Sequence, residues 1–314
     1  MPSHTKYFPS SDSTQANRLV VRVAGGLGNQ LFQYATARSM AMRLRLPLYV
    51  DTTFYTTQTS SSVATREYLL PDLNVASESL TNLEQEYLRY LLSRNAITRN
   101  LARIASFVGL STDPLVWNES LHRTFGMPPP RNRAVYLVGF WQDYLSFNNI
   151  RDSLSRELTP KHPAPTAVSE LLPELGNQSA AIHIRRGDYL TADVQRVYGI
   201  LSTSYYHEAI SRIRQKSPSI KLFFFSDDPQ WVKDTFVNQY GGNVVNYAEQ
   251  HTQPYWDIYL MRHFTHHVLA NSTFSWWGAY LRYTSHGDVY IPQSWLARPV
   301  NRHNRLLLPG WIAL

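Results

Sequence analysis

The run Ala180-Ala181-Ile182-His183-Ile184-Arg185-Arg186-Gly187-Asp188-Tyr189 decides how this chain folds. An apolar stretch that turns to charge and then stops at a glycine reads as a buried strand delivering its polar residues at its carboxyl end. Side chains two apart on a strand share a face, so His183 and Arg185 are expected on one side and Arg186 on the other. In open α/β sheets ligands bind beyond the carboxyl ends of the strands. A guanidinium there offers a fixed, permanently charged fork for phosphate or carboxylate. The same residues also suit a plain strand-end ion pair of Arg185 or Arg186 with Asp188.

Downstream the rhythm of strand and helix continues. Ser204-Tyr205-Tyr206-His207 opens a helix running to about Lys216, with Ser204 placed as its N-cap. Lys221 to Ser226 is a buried strand ending in Asp227-Asp228-Pro229, Val244 to Tyr247 a further strand, and Pro254 to Met261 a helix. His267 to Ala270 is again a strand, and Asn271 to Gly278 a turn and helix start. This alternation predicts a doubly wound parallel sheet, in which the loops Arg185–Asp188, Ser226–Asp228 and Asn271–Ser275 share one edge. A carboxylate such as Asp227 or Asp228 suits a guanine N–H pair or ribose hydroxyls. Ser272, Thr273 and Ser275 at a helix N-terminus suit phosphate oxygens. Each of these also reads as a simple helix cap.

Upstream, the strand Arg18 to Val23, the turn Gly25-Gly26-Leu27-Gly28-Asn29-Gln30, a helix through Leu44 and the strand Leu46 to Asp51 make a βαβ unit. A dinucleotide fingerprint wants a third glycine where Leu31 stands, although Asp51 ends its strand as a ribose-binding acid would. Gly26 and Gly28 let backbone N–H groups approach a bound group, and the Asn29 and Gln30 amides are expected at the same edge. A second strand, Ala134 to Phe140, leads to Trp141-Gln142-Asp143-Tyr144. The first 17 residues read as a disordered tail, residues 18–160 as a first α/β domain, a Pro/Thr/Ala-rich stretch from about Leu158 to Pro173 as a linker, and residues 174–314 as the second domain.

Composition narrows the function. Of the 314 residues 43% are hydrophobic and 17% charged, as in a soluble globular protein. Eight Trp and twenty Tyr are a weak pointer to sugar or nucleotide ligands. A net charge of +7 favours an anionic partner, but Lys and Arg are dispersed, which argues against a nucleic-acid arm. The absence of cysteine excludes disulfides and thiolate metal sites. His263, His266 and His267 lack a zinc-site pattern and read as structural. No signal peptide or membrane span is found, so a cytoplasmic location is expected. The helical stretch carrying Arg89, Arg94, Arg99 and Arg103 reads as a packed helix with a solvated basic face, with peripheral contact to an anionic membrane as the alternative.

Taken together, Gly25 to Tyr34, His183 to Tyr189, Phe225 to Asp228 and Ala270 to Gly278 resemble the α-1,2-fucosyltransferases of glycosyltransferase family 11. The likeness runs in order from about Leu19 to Trp295. It implies two Rossmann-like domains of the GT-B type, with the first domain on the acceptor side. It further implies GDP-β-L-fucose as donor, no required metal or other cofactor, and inverting transfer to the 2-hydroxyl of a galactose-terminated glycan. By motif position Arg185 would hold the diphosphate, and His183 and Asp188 would line the donor pocket. The segments Ser226-Asp227-Asp228 and Asn271-Ser272-Thr273-Phe274-Ser275 would contact the nucleotide, and the Gly25–Gln30 loop, with Gly26 and Gly28, would face the donor from the first domain; Arg185, His183 and Asn29 are the catalytic candidates. Asp51, Glu67, Asp143 and His183 are candidate general bases. The sequons at Asn118, Asn177 and Asn271 are then chance matches. Rival classes are a nicotinamide-dependent oxidoreductase and a non-catalytic sugar- or nucleic-acid-binding protein.

Overall fold

The computed structural model describes residues 17–57, 66–93, 115–119, 134–176, 178–245, 253–297 and 305–314. Within these the chain forms two compact units, with the break between Ile150 and Arg151 and with Asp72–Asn74 belonging to the second. The N-terminal tail, the arginines from Arg94 to Arg103, the sequon at Asn177 and residues 246–252 lie outside the described residues.

The first unit is a five-stranded sheet of β1 (Leu19–Arg22), β2 (Leu48–Asp51), β3 (Glu78–Ser79), β4 (Leu115–Asn118) and β5 (Val135–Val138). Their order is β3-β2-β1-β5-β4, and every pairing is parallel. The chain leaves β1 in one direction and returns to its other flank, so the sheet's switch point lies beyond the ends of β1 and β5. Helix α1 (Leu27–Leu44) follows β1 and is buried nearly all round, polar residues included. Buried amides need internal partners, and two glutamines supply them. Gln30 donates to the carbonyls of Gly25 at 3.2 Å and Glu67 at 2.6 Å and accepts from the Leu69 N–H at 3.0 Å. Gln33 accepts from Ala24 N–H at 2.9 Å and donates to Gly139 O at 3.0 Å. Gln30 is therefore an internal brace and not, as expected, an amide offered at the sheet's edge.

The second unit is a six-stranded sheet of β6 (Ser179–Ile184), β7 (Lys221–Ser226), β8 (Asn243–Val245), β9 (His266–Val268), β10 (Val289–Ile291) and β11 (Ile312–Ala313). The order β11-β10-β9-β6-β7-β8 is parallel throughout. This is the doubly wound order whose switch point falls between the first and fourth strands, here β6 and β9. Strand β6 is buried at all six positions, which is why it reads as an unbroken apolar run ending abruptly in charge. Phe223, Phe224 and Phe225 of β7 are each no more than 1% exposed, and Phe264 and Phe236 pack on them.

Helix α2 (Thr203–Lys216) starts two residues earlier than expected for a Ser204 cap: Ser202 is the N-cap, with extended backbone, and Ser204 lies in the first turn. Helices α3 (Pro229–Val232), α4 (Tyr255–Met261) and α5 (Thr273–Tyr280) follow β7, β8 and β9. Helices α4 and α5 pack without a gap, because a Cβ on Gly278 would stand 2.5 Å from that of Met261. Trp276 stacks on Tyr280 at 4.8 Å and donates to Leu306 O at 2.8 Å, so this aromatic pair serves the core. Leu158 and Val168, in the Pro/Thr/Ala-rich segment, are buried in the second unit. Arg262, fully buried, donates to Ser155 O at 2.7 Å and Leu158 O at 3.3 Å and lies 4.6 Å from the Tyr283 ring.

Because Gln30 satisfies three backbone groups around a fully buried site, Gln30→Ala should destabilise the protein by about 2–4 kcal/mol. The midpoint of urea unfolding reads this directly; a change below about 0.5 kcal/mol would mean that the brace is dispensable.

Candidate active site

Gly187 ends β6's polar tail by a close approach. A Cβ there would lie 2.6 Å from Asp227 Oδ2, so a larger residue would push that carboxylate out of its present contacts. Into this junction Asp227 places both oxygens. Oδ1 accepts from the backbone N–H of Arg186 at 2.9 Å, and Oδ2 pairs with Arg185 Nη1 at 3.0 Å. Asp188 Oδ1 takes Arg185 Nε at 3.0 Å and Nη2 at 2.8 Å. Arg185 is thus clamped by two carboxylates with three of its five N–H groups engaged. Arg186 has its own carboxylate, Asp228 Oδ2 at 3.1 Å, and lies 3.8 Å over the Trp231 ring. The strand-end ion pair expected for Arg185 is present, and Asp227 extends it to β7.

The neighbouring loops are held as firmly. Asp228 caps α3 through Trp231 N–H at 3.3 Å, and Ser226 Oγ accepts from Asp228 N–H at 3.1 Å. Ser272 caps α5 through Phe274 N–H at 3.3 Å, and Ser275 Oγ donates to Ser272 O at 3.3 Å. Thr273 opens α5. Asn271 is 2% exposed and donates to Tyr198 O at 2.8 Å, so its sequon is not accessible in the folded chain. Tyr189 donates to Asn271 O at 3.0 Å, joining the end of β6 to that of β9 across the switch point.

His183, on β6, is buried against Phe274 with ring centroids 5.6 Å apart, and its Nδ1 has no partner among the described residues. Burial first, and the adjacent Arg185 cation second, push its pKa down to about 3. The imidazole is neutral at physiological pH and a weak base, which counts against it as the group that deprotonates an acceptor. Asp257, in the first turn of α4, was not anticipated. Its Oδ1 is buried without a partner among the described residues, and burial pushes its pKa up to about 7. Helix α4 follows β8 in chain order. An acid set among Tyr255, Trp256, Ile258 and Leu260 was the available sequence signal.

In the first unit, Gly26 is the N-cap of α1 and its carbonyl accepts from Asn29 and Gln30 N–H at 2.9 and 3.1 Å. Gly28 is buried inside the first turn. Asn29 reaches the switch point, where its Oδ1 accepts from Gln142 at 3.1 Å. Asp51 is fully buried and accepts from Tyr136 Oη and from Thr53 N–H and Oγ1. It is a structural anchor with no face for a ribose, which removes the basis of the nicotinamide reading. Asp143 is spent on capping Leu145 N–H at 3.1 Å. His267 is fully buried against Met261 O at 2.8 Å and His266 accepts from Asp288 N–H at 3.1 Å, as structural histidines do. Among the described residues no group of three or more His, Asp or Glu is placed to hold a metal ion, and no helix is long and apolar enough to cross a membrane.

Two parallel-stranded, doubly wound units are the fold of the GT-B type. The chain belongs to glycosyl transferase family 11, whose model matches residues 13–314. It is 29% identical over 285 residues to an alpha-1,2-colitosyltransferase of Escherichia coli, covering 89% of this chain and 93% of that one. It is 26% identical over 199 residues to galactoside alpha-(1,2)-fucosyltransferase 1 of Homo sapiens, covering 59% of this chain and 53% of that protein. Its fold matches the solved fucosyltransferase NodZ from Bradyrhizobium with a TM-score of 0.52 at 13% identity, covering 85% of this chain and 94% of that one.

The two fully buried histidines make stability depend on acid. His183 and His267 are both held at about 3, whereas an unfolded histidine titrates near 6.5. Between those values the unfolded chain binds more protons, so stability falls as pH drops below about 6.5, by about 1.4 kcal/mol per pH unit for each group. Denaturation at several pH values should show His183→Gln reducing that slope by about one proton; an unchanged slope would mean that His183 ionises normally.

Proposed function

We propose that this glycosyltransferase moves L-fucose from GDP-β-L-fucose to the 2-hydroxyl of a terminal β-galactoside, with inversion and without a metal ion. The observation that carries the reading is Arg185 at the carboxyl end of β6, fixed by Asp188 and Asp227. On the same strand buried His183 Nδ1 has no partner among the described residues, and neither has buried Asp257 Oδ1 in α4. A cation suits a diphosphate, and a buried carboxylate oxygen with a ring nitrogen suits the N–H edge of a guanine.

As the sugar–phosphate bond breaks, negative charge grows on the leaving oxygen. A guanidinium already fixed by Asp188 and Asp227 stabilises that charge with no reorganisation, and the amides opening α5 add to it. The acceptor oxygen bonds to the anomeric carbon from the opposite face as the bond to the diphosphate breaks. GDP leaves with the electron pair, and the hydroxyl proton passes to solvent. Arg185 and the α5 amides take the charge-neutralising part that a divalent ion plays in other enzymes. A second donor is suggested by the bacterial relative: colitose is L-fucose lacking the 3-hydroxyl, and the nucleotide half of the site would treat both alike.

Incubation with GDP-fucose and a panel of β-galactosides, with and without chelator, tests the reading. Acceptor-dependent, chelator-insensitive GDP release is expected. Arg185→Ala should stay folded and lose on the order of 100- to 1,000-fold in turnover, with Arg185→Lys weak because an ammonium cannot fill the fork. Full turnover by folded Arg185→Ala, or loss of all activity with chelator, overturns the reading.

Asp257 gives a separate check. Its folded pKa, near 7, lies above the unfolded value, so the stability it permits is complete at acid pH and declines as pH rises through 7. Asp257→Asn should therefore raise Tm over wild type at about pH 8, lose that advantage toward about pH 4, and weaken GDP binding. GDP affinity equal to that of wild type would remove Asp257 from the nucleotide site.

A further inference from the structure

The loop that leaves β5 is built as a rigid display for one aromatic ring. Strand β5 stops at Val138, although the sequence continues apolar through Phe140. Gly139 has φ +148°, and a Cβ there would meet Glu119 Oε1 at 2.8 Å, so this bend admits only glycine. Trp141 holds a left-handed backbone at φ +54°, which a bulky residue seldom adopts, and its side chain is buried. Between them the successive N–H groups of Phe140 and Trp141 converge on Glu119 Oε1 at 2.5 and 2.6 Å. Gly139 O accepts from buried Gln33 at 3.0 Å. Backbone strain of this kind persists only where the surroundings over-determine it, and it gathers at functional sites.

What the loop displays is Phe140, 47% exposed. A large apolar ring held in solvent on a strained, carboxylate-clamped turn costs stability and gains nothing for the core. Its place explains it. The turn stands at the first sheet's switch point, where Gln142, two residues on, donates to Asn29 at 3.1 Å. An exposed aromatic ring on the same turn as a side-chain amide is a composition that receives a pyranose: a ring can cover the sugar's C–H face and an amide can take its hydroxyls.

We propose that Phe140 is a specificity-determining residue, the platform on which the terminal galactose of the acceptor stacks. Asn29 and Gln142 act as its polar partners, and Glu119 is the positioning residue that fixes the turn. The inference rests on the reading of this chain as a galactoside-directed transferase with its acceptor side in the first unit.

The test separates the two readings. Wild-type enzyme is assayed with GDP-fucose and methyl β-D-galactopyranoside, and saturation-transfer NMR records binding of that galactoside alone. Phe140→Ala should raise the acceptor KM roughly tenfold, leave the donor KM and Tm unchanged, and weaken the saturation-transfer signal. Phe140→Trp should retain both binding and transfer. Glu119→Gln should raise the acceptor KM while leaving the donor KM alone. An active wild type whose Phe140→Ala variant keeps its acceptor KM and its galactoside signal overturns this inference and leaves the proposed reaction standing. A wild type that transfers to no β-galactoside overturns both.

Discussion

The carboxylate of Asp227 bridges the ends of two adjacent strands, and the charged edge of the second sheet depends on that bridge. One oxygen is spent on a backbone N–H of the β6 tail and the other on the guanidinium of Arg185. A residue larger than glycine at position 187 would push that carboxylate out of these contacts. The same edge holds two arginines, 185 and 186, against three aspartates, 188, 227 and 228. This edge is therefore not a simple basic patch, and the protein's overall positive charge says little about it. What it offers an anion is direction: a fork whose plane is set in advance. In a partly buried setting, a fixed donor is worth more to a developing charge than a mobile one of the same charge.

The two units share a fold and differ in the chemistry of their switch points. The second is built of charges held in pairs. The first carries side-chain amides, with Gln30 and Gln33 turned inward as braces and Asn29 and Gln142 meeting at the edge, beside the Glu119 carboxylate that holds the β5 turn. Asp51 shows how the same strand-end position carries different meanings. In a dinucleotide enzyme an acid there meets a ribose, while here it is sealed under Tyr136 and Thr53. A glycine-rich turn after a first strand is thus a statement about backbone packing before it is one about ligand.

Much of the second unit was legible because β6 and β7 are buried on both faces and so lack alternation, and because their polar ends break sharply. The convergence of three loops followed from parallel topology alone. Other features were not legible, each for a physical reason. Strands β3 and β11 are two residues long, and their pairing is decided by partners far away in sequence. Gln30 and Gln33 look like surface amides until the all-round burial of α1 is known. The cap of α2 fell on Ser202 in place of Ser204, since two serines in near succession offer the same chemistry and the backbone chooses between them. The stretch through Phe140 had the apolar character of a strand, and nothing local records that Glu119 bends it outward.

Asn271 carries one last consequence. Its amide nitrogen is committed to the Tyr198 carbonyl in a nearly solvent-free place, yet Asn271-Ser272-Thr273 spells an acceptor for N-linked glycans. Oligosaccharide is attached to nascent chains before they close, so passage through a eukaryotic secretory pathway would load sugar onto a nitrogen that the finished fold must bury. The choice of production host is therefore written into this turn: a compartment without glycan attachment delivers the fold, and one with it manufactures a chain that cannot shut.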